Sequence, residues 1–370
     1  MGNKKILVMS TNGILRDGIT SWLIATYGAM DLTGLEVSTI AFEGADNSVV
    51  DEVKAAGVEV VVLPHRRKDM KAYRRAFSEL LQSKCFDAIH VCCNSALAVL
   101  ELEEAKKRVV RMRIAHSRNT MCSHRVANFL LNPLFQSCIT DRYACGHDAG
   151  VWLFGKRSFT VIPNGKNLSE YSFSIEAREA VRAELGLSAD VIAFGHVGGF
   201  NEQKNHAKLI EVFSELRNRG ERRHLFLIGE GYTQDAVKTQ VEQLGISDCV
   251  HFLGRRNDVL RLLNAMDCMV FPSLYEGFPN VVLEWQLNGL PVVMSDVITD
   301  ECAITPLVRQ LPLAADAAEW ADAVERSMAG RSRATDSAAA QQAAKVAGYD
   351  INENAAMLRR LYLDGVERCK

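Results

Sequence analysis

The sequence predicts an α/β protein with two parallel β-sheets, each covered by helices. Short apolar runs alternate with stretches of helical periodicity along the chain, which is the pattern of such sheets. The 370 residues suffice for two domains that each bury a core of their own. A polar segment at 164–174, interrupted by Gly165, marks the expected boundary between them.

Seven short apolar runs before this boundary are interpreted as strands. The first holds only four apolar residues, 6–9, ahead of Ser10, which is too few for the apolar core of a signal peptide. The predicted strands are 5–10, 36–41, 58–63, 86–92, 109–116, 139–145 and 159–163.

Five further strands are expected after the boundary, at 191–197, 225–228, 250–253, 267–271 and 291–295. The alanine-rich stretch 314–345 is predicted to form a helix with a loose connection. A closing helix is expected at 352–368, because Ala355, Leu358 and Tyr362 recur there at helical spacing after a turn at 348–350.

The composition is that of a soluble globular protein, with 48% apolar and 24% charged residues. No stretch approaches the roughly 18 uninterrupted apolar residues of a membrane span. The ten cysteines lack the spacing of metal ligands and lie mostly inside apolar runs, so we expect reduced thiols. These features predict a cytoplasmic protein.

The charge is distributed unevenly along the chain. Residues 1–165 carry more basic than acidic side chains, whereas the remainder is acidic. Dense basic clusters at 66–75 and 106–113 suit an anionic membrane surface, although an ordinary solvated face explains them equally well. No nucleic-acid motif accompanies them, and we expect no nucleic-acid partner.

The stretch from Glu276 to Glu284 is the most informative for function. It follows an apolar strand and contains a Gly/Pro turn, so a helix should begin near Pro279 or Asn280 and end before Gly289. The unpaired amides at such a helix start favour an anion such as a diphosphate. The two glutamates would then suit sugar hydroxyls on either side of it, although two solvated acids at a helix start are the simpler reading.

This stretch resembles the E-x7-E donor-binding motif of family-4 retaining glycosyltransferases. Four further segments resemble the family in the expected order: the Gly18 loop, 115–119 (Ala-His-Ser-Arg-Asn), 162–165 (Ile-Pro-Asn-Gly) and the loop of Lys204 and Asn205. The combination is most similar to bacterial exopolysaccharide and capsule glycosyltransferases.

The resemblance implies the GT-B fold, in which two Rossmann-like domains face each other across an interdomain cleft. The expected domains are an acceptor-side domain at 1–165, a nucleotide-sugar donor domain at 166–349 and a closing helix at 350–370 that crosses back to the first domain.

The resemblance also assigns roles within the donor site. Glu276 would hold sugar hydroxyls, Glu284 the ribose, and His116 the sugar near its anomeric carbon, so His116 and Glu276 are the expected catalytic residues. The diphosphate would be held by the donor-binding residues of two loops and a helix start: Gly18, Lys204, Gly277, Phe278, Asn280 and Val281.

Two positions depart from the family pattern. Asp17 stands where the family often has the first of two glycines, so only Gly18 is assigned there. Gly199 stands where the family has an arginine that stabilises the leaving diphosphate. Arg255 or Arg256 is expected to compensate, and the backbone near Arg255 is where the family commonly holds the base.

The sequence therefore predicts a retaining, metal-independent hexosyltransferase that needs no cofactor beyond its co-substrate, a nucleotide sugar that is most simply a UDP-sugar. The expected acceptor is a saccharide or a lipid-linked saccharide in surface polysaccharide synthesis. Two alternatives remain: a UDP-sugar 2-epimerase of the same architecture, and a non-catalytic nucleotide-sugar-binding protein, the latter suggested by Gly199.

Overall fold

The computed structural model describes residues 2–122 and 124–368. The chain divides into two compact units. The first comprises the residues up to Asn167 together with those from Gly348 onward, and the second is Leu168–Ala347.

The first unit contains one parallel sheet of seven strands. Its order is β3-β2-β1-β4-β5-β6-β7. The strands are β1 (Lys4–Ser10), β2 (Leu35–Phe42), β3 (Glu59–Leu63), β4 (Ala88–Cys93), β5 (Met112–Ser117), β6 (Asp141–Ala144) and β7 (Thr160–Val161). All seven predicted strands are confirmed, with ends that shift by a few residues.

Helices cover both faces of this sheet, and the buried apolar side chains form one cluster on each face. The helices are α1 (Gly18–Gly28), α2 (Asn47–Ala55), α3 (Met70–Lys84), α4 (Val99–Lys107), α5 (Arg125–Cys138) and α6 (His147–Phe154).

The second unit contains a parallel sheet of six strands, in the order β10-β9-β8-β11-β12-β13. The strands are β8 (Ile192–Val197), β9 (Arg223–Ile228), β10 (Val250–Gly254), β11 (Cys268–Phe271), β12 (Val292–Ser295) and β13 (Val308–Leu311). The helices are α7 (Ile175–Glu184), α8 (His206–Asn218), α9 (Gln234–Gln243), α10 (Val259–Leu263), α11 (Asn280–Leu287), α12 (Ala317–Met328) and α13 (Arg333–Val346).

Two features of the second unit differ from the sequence prediction. Strand β13 was not predicted, because its two central residues, Arg309 and Gln310, are polar and exposed at the edge of the sheet. The stretch 314–345 forms two helices, α12 and α13, instead of one helix and a loose connection.

The closing helix α14 (Ile351–Arg368) packs on the first unit, as the resemblance implied. Backbone bonds join Lys166 to the turn before it, with the Lys166 amide donating to Tyr349 and the Ile351 amide donating to Lys166. At Gly365 a Cβ atom would lie 2.4 Å from the Cε atom of Met112 in β5, so a larger residue there would require the Met112 side chain to move.

None of the helices in the described part of the chain is long and apolar enough to cross a membrane.

Candidate active site

The candidate donor site lies where the strand order of the second sheet reverses. Strand β8 has β9 on one side and β11 on the other, so the chain leaves β8 toward one edge and fills the other edge later. Parallel sheets bind ligands beyond the carboxyl ends of their strands at such a switch point. The loops that follow β8 and β11 carry Lys204 and Glu276, respectively.

Three hydrogen bonds hold these two loops together. The Leu274 amide donates to the Gln203 carbonyl at 2.8 Å. Gln203 Nε2 donates to the Tyr275 carbonyl at 2.9 Å, and Asn205 Nδ2 donates to the Pro272 carbonyl at 3.1 Å. The loop after β8 is therefore fixed against the loop after β11.

This arrangement pairs the two charged residues that the sequence assigned to different parts of the donor. Lys204 Nζ lies 2.7 Å from Glu276 Oε1, and the two side chains are 16% and 10% exposed. The same ammonium lies 4.9 Å from the centre of the Phe271 ring. A lysine and an acceptor carboxylate thus occupy one half-buried position at the switch point.

Helix α11 begins at Asn280 and ends at Leu287, which confirms the predicted helix start and the stop before Gly289. In the described structure its N-cap residue, Pro279, makes no side-chain bond to the first amides. The Asn280 amide donates to the Phe278 carbonyl and the Val282 amide to the Pro279 carbonyl, both at 3.0 Å, so the anion preference of this helix start comes from the helix dipole. Gly277 and Phe278 are half-buried in the turn that leads into it.

Glu284 lies one turn into α11 and is half-buried. Tyr171, in the turn before α7, is its neighbour: burial and then the Glu284 carboxylate raise the pKa of the Tyr171 phenol. Glu276 and Glu284 thus lie on either side of the start of α11, as the motif predicts.

The loop after β9 packs tightly against the loop after β8. A Cβ atom at Gly229 would lie 2.1 Å from the Gly198 carbonyl oxygen, and one at Gly231 would lie 2.1 Å from that of Phe200. Both glycines are therefore needed for the two backbones to meet. At Gly199, by contrast, the nearest described atom to an added Cβ is the Glu230 carbonyl oxygen at 3.5 Å, so a Cβ atom fits there.

The loop after β10 places the two candidate compensating arginines in different surroundings. Arg256 pairs with Asp258 at 2.7 Å and with Glu184 at 3.6 Å. Arg255 is 69% exposed, and its Nε lies 4.0 Å from a Glu230 oxygen. Arg255 is thus the less neutralised of the two cations.

Gly18 is the first residue of α1, but a carboxylate already occupies this helix start. Asp17 Oδ1 accepts from the Ile19 amide at 3.1 Å and from the Thr20 amide at 2.9 Å. A diphosphate at these amides would have to displace Asp17, so we leave Gly18 out of the proposed donor site.

His116 lies at the end of β5 inside a hydrogen-bonded chain of buried side chains. Arg118 Nη1 lies 3.3 Å from His116 Nε2, and His116 Nδ1 lies 3.0 Å from His90 Nε2. His90 Nδ1 lies 2.6 Å from the Tyr362 hydroxyl of α14, which lies 2.5 Å from the Tyr27 hydroxyl. His116 is fully buried, so a ligand can reach it only if Arg118 moves.

The guanidinium of Arg118 fixes the direction of this chain, since arginine only donates. His116 Nε2 must accept from it, which places the proton of neutral His116 on Nδ1, facing His90. His90 in turn donates from Nδ1 to Tyr362. Burial, then Arg118, then His90 hold the pKa of His116 well below its usual range; burial and then Arg118 lower that of His90 to about 3.

Arg118 and His90 were not assigned roles from the sequence. Arg118 lies within the motif that identified His116, and its guanidinium lies 4.4 Å from the centre of the Trp22 ring and donates to Asn164 at 2.8 Å. The motif could therefore have identified Arg118 as a neighbour of His116, whereas nothing in the sequence identifies His90 as one.

One described cluster in the first unit contains side chains of the types that bind metals. Ligand atoms of His90, Cys92 and His116 all lie within 4.8 Å of one another and are buried. The two rings already bond to each other, to Tyr362 and to Arg118. A cation would have to break this chain, so the residues fit the hydrogen-bonded state better than a metal centre.

The basic clusters are partly neutralised within the first unit. Arg66 pairs with buried Glu101 at 2.7 Å, and Lys107 and Arg108 pair with acids of α4 at 2.9 and 3.2 Å. These clusters thus present less unpaired charge than the sequence suggests.

Comparisons with known proteins agree with this geometry. Residues 192–329 match the family described as glycosyl transferases group 1. The putative glycosyltransferase EpsF of Bacillus subtilis (strain 168) is 27% identical over 381 residues, which cover 99% of this chain and 98% of that protein. An Escherichia coli UDP-Gal:alpha-D-GlcNAc-diphosphoundecaprenol alpha-1,3-galactosyltransferase is 28% identical over 180 residues, or 46% of each chain.

Solved structures show the same fold. Anabaena HepE in complex with UDP matches with a TM-score of 0.80 at 19% identity, covering 97% of this chain and 100% of that one. A glycosyltransferase of Rickettsia africae ESF-5 matches with a TM-score of 0.80 at 14% identity over 99% of both chains. Together the matches show that residues 192–329 resemble the group 1 glycosyltransferases, that the whole chain is similar to EpsF, and that it shares the fold of these solved structures, which confirms the expected resemblance to family-4 enzymes with the GT-B fold.

Proposed function

We propose that this protein transfers a hexosyl group, with retention and without a metal ion, from a UDP-sugar to a saccharide or lipid-linked saccharide acceptor. The observation that carries the proposal is the Lys204–Glu276 pair at the switch point of the second sheet, beside the start of α11. A cation, a hydroxyl acceptor and a set of helix amides are the groups that a nucleotide diphosphate sugar needs.

Lys204, the α11 start at Asn280 and Val281, and the turn at Gly277 and Phe278 hold the diphosphate in this proposal. Charge accumulates on the leaving diphosphate during transfer, and donors fixed in place before the reaction stabilise it. Arg255 supplies a second cation from the loop after β10. With these cations the site can balance the leaving-group charge from its own residues, which supports transfer without a divalent ion.

Glu276 and Glu284 bind the two sugars of the donor. Glu276 accepts from the hydroxyls of the transferred hexose, and Glu284 accepts from the ribose. His116, which presents an acceptor nitrogen toward Arg118, would accept from a sugar hydroxyl near the reacting carbon once Arg118 moves. These contacts orient the donor, and orientation supplies much of the rate of such a transfer.

The acceptor assignment is supported by relatives. The E. coli relative is a galactosyltransferase whose named acceptor is a diphosphoundecaprenol-linked sugar, and EpsF is a putative glycosyltransferase. We propose a surface-polysaccharide intermediate as the acceptor, used at the cytoplasmic face of a membrane to which the basic first unit is drawn.

Incubation of the purified protein with labelled UDP-glucose, UDP-galactose and UDP-N-acetylglucosamine tests the proposal. Transfer to a supplied acceptor or slow release of free sugar, with the anomeric configuration kept and no loss on adding EDTA, is the expected result. Formation of the 2-epimer would identify an epimerase instead. Binding of UDP-sugar without turnover would identify the non-catalytic protein that Gly199 suggests.

A further inference from the structure

The first unit contains a cavity of about 530 Å³ at the carboxyl ends of its strands. Its walls come from the loops after β1, β3, β4 and β5, and the polar side chains that line it include Asn12, Arg66, Arg67, Asn94, Ser95 and His124. In the described structure this lining contains two arginines and no carboxylate. Loops at this edge of a parallel sheet are where ligands bind.

The two arginines differ in how their charge is balanced. Arg66 donates from Nε to the fully buried Glu101 at 2.7 Å, so it forms a fixed and neutralised part of the wall. Arg67 donates from Nη2 to the Asn12 amide oxygen at 3.1 Å, and no carboxylate in the described chain pairs with it. The cavity therefore holds an exposed, unbalanced guanidinium beside a rigid one.

A helix start adds to this positive potential. Helix α5 has 14 residues and begins at Arg125, and Ala127 of its first turn is part of the cavity wall. Its N-cap residue, His124, provides no side-chain bond to the first amides in the described structure. Helix amides and a guanidinium fork are the groups that bind phosphate oxygens in proteins.

An exposed apolar face runs from the cavity along α5. Val126 is 74% exposed, Phe129 78% and Leu130 68%, and Met121 and Leu134 are about half exposed. The helix rises about 12 Å between Val126 and Leu134. Large apolar side chains gathered on one exposed face indicate an interaction site.

We infer that the cavity and the α5 face together bind an amphiphile: a lipid diphosphate whose phosphates contact Arg67 and the α5 start and whose hydrocarbon chain lies on Val126, Phe129 and Leu130. This inference rests on the proposed function, since the lipid diphosphate is then the carrier of the acceptor sugar. Arg67 alone would fit a free phosphate. The apolar face of α5 continues from the cavity, and the two together fit a phosphate that is joined to a hydrocarbon chain.

Calorimetry with farnesyl diphosphate below its micelle concentration tests the inference, with inorganic pyrophosphate and phosphatidylglycerol vesicles as the other probes. Arg67→Gln should lower the affinity for both farnesyl diphosphate and pyrophosphate by at least about tenfold, because a charge-assisted contact is lost. Phe129→Ser should lower the affinity for farnesyl diphosphate but not that for pyrophosphate. Arg75→Gln, which removes an exposed basic charge of α3 outside the cavity, should change neither.

The outcomes separate this inference from the proposed function. Unchanged binding of farnesyl diphosphate in Phe129→Ser, or binding of pyrophosphate as tight as that of farnesyl diphosphate, would indicate a free-phosphate site and overturn the lipid assignment. If Arg67→Gln left the affinity for farnesyl diphosphate unchanged and the protein still bound the vesicles, the protein would adsorb to membranes in general. That result would also overturn the lipid assignment. UDP titration of the same samples reports on the donor site: loss of UDP binding counts against the proposed function, whereas intact UDP binding without farnesyl diphosphate binding counts only against this inference.

Discussion

Glu276 and Lys204 neutralise each other, although one is assigned to the sugar and the other to the diphosphate. Their 2.7 Å pair is largely shielded from solvent. A diphosphate that approaches Lys204 therefore meets a carboxylate as well, and the lysine must be shared or released. The carboxylate is useful only if it gains hydroxyl donors from the sugar in return.

Glu276→Gln should therefore separate binding from turnover. Removal of the negative charge frees Lys204, so we expect UDP to bind up to about tenfold more tightly, a gain of roughly 1.4 kcal/mol. Transfer from the UDP-sugar should fall by about 10²-fold, because the hexose loses the group that orients it. Calorimetry with UDP and steady-state kinetics measure the two effects.

Glu202→Gln is the matched control, since Glu202 lies two residues before Lys204 but is exposed. It should leave both UDP affinity and turnover close to those of the parent. If Glu276→Gln weakened UDP binding, the pairing would have to be reinterpreted as a contact that positions Lys204.

Gly199→Arg tests whether the donor site has too little positive charge. The position has ordinary backbone angles for any residue and room for a Cβ atom. An arginine there should raise the rate of transfer or donor hydrolysis by up to about 10²-fold if nothing now replaces the missing guanidinium. Gly199→Gln, which adds length without charge, should give no gain.

No gain from Gly199→Arg, in a parent of ordinary activity, would indicate that another cation already fills this role. Arg255→Ala should then lower activity, whereas Arg256→Ala should have less effect because Arg256 is held by Asp258 and Glu184. If neither arginine substitution changed the activity, the electrostatic account of this loop would be wrong.

At the scale of residues, the local sequence predicted where a site residue lies along its helix or strand better than it predicted which side chains surround that residue. The start of α11 follows from Pro279, Asn280 and Gly289, which are local signals. The pairing of Lys204 with Glu276 depends on strands β8 and β11 being neighbours, which no local pattern shows. The burial of His116 behind Arg118 depends on His90 and on α14, far away in sequence.

Helix α4 ends in a backbone conformation that its sequence does not favour. Val109 follows the helix with a φ of 58°, and the next amide, that of Val110, donates back to Ala105 at 2.9 Å. This is the helix stop that normally takes glycine, because a β-branched side chain is strained in the left-handed region. The Val109 side chain is 79% exposed and gains little from burial.

Val109→Gly should therefore stabilise the protein by about 1 kcal/mol, through relief of the left-handed strain. The gain is reduced by the greater freedom of glycine in the unfolded chain. Thermal or urea unfolding of the first unit measures it. Val109→Ala, which keeps a Cβ atom, should recover only part of the gain, and a destabilised Val109→Gly would mean that the valine makes contacts that outweigh the strain.

At the scale of elements, the strands with apolar centres were predicted from the sequence, and the strand that was missed has a polar centre. Strand β13 carries Arg309 and Gln310 at the sheet edge, where one face and one side meet water, so no apolar run marks it. The division between α12 and α13 was missed because alanine favours helix throughout 314–345. In the turn between them, Gly330 takes a left-handed conformation with a φ of 67°.

At the scale of the whole molecule, the two units share one electrostatic property: each buries neutral histidines beside a cation. The first contains His90 and His116 near Arg118, and the second contains His196 and His206 near Lys204. Burial is the main cause in each case, and the pKa values of all these rings are lowered from the usual 6.5. That of His206 falls to about 4.

These shifts predict a loss of stability in mild acid. In the unfolded chain each of these histidines takes up a proton as the pH falls below about 6.5, whereas in the folded chain burial delays protonation to lower pH, to about pH 4 for His206. The stability that the neutral rings contribute is therefore complete above about pH 6.5 and is lost as the pH falls below it, by about 1.4 kcal/mol per pH unit for each ring until that ring is protonated in the folded chain. Urea unfolding between pH 7.5 and 5 covers this window before most carboxylates begin to titrate.

His206→Leu should reduce this acid sensitivity. The His206 ring stacks on Phe200 at 4.1 Å, and both of its nitrogens lack a hydrogen-bond partner among the described residues. Leucine is of similar size and carries no group that must be kept from protonating, so the stability at pH 7.5 should hold or rise. The slope of stability against pH should fall by about 1.4 kcal/mol per unit between pH 6.5 and 5. An unaltered slope in His206→Leu would show that His206 is already protonated, or hydrated, in the folded protein at neutral pH.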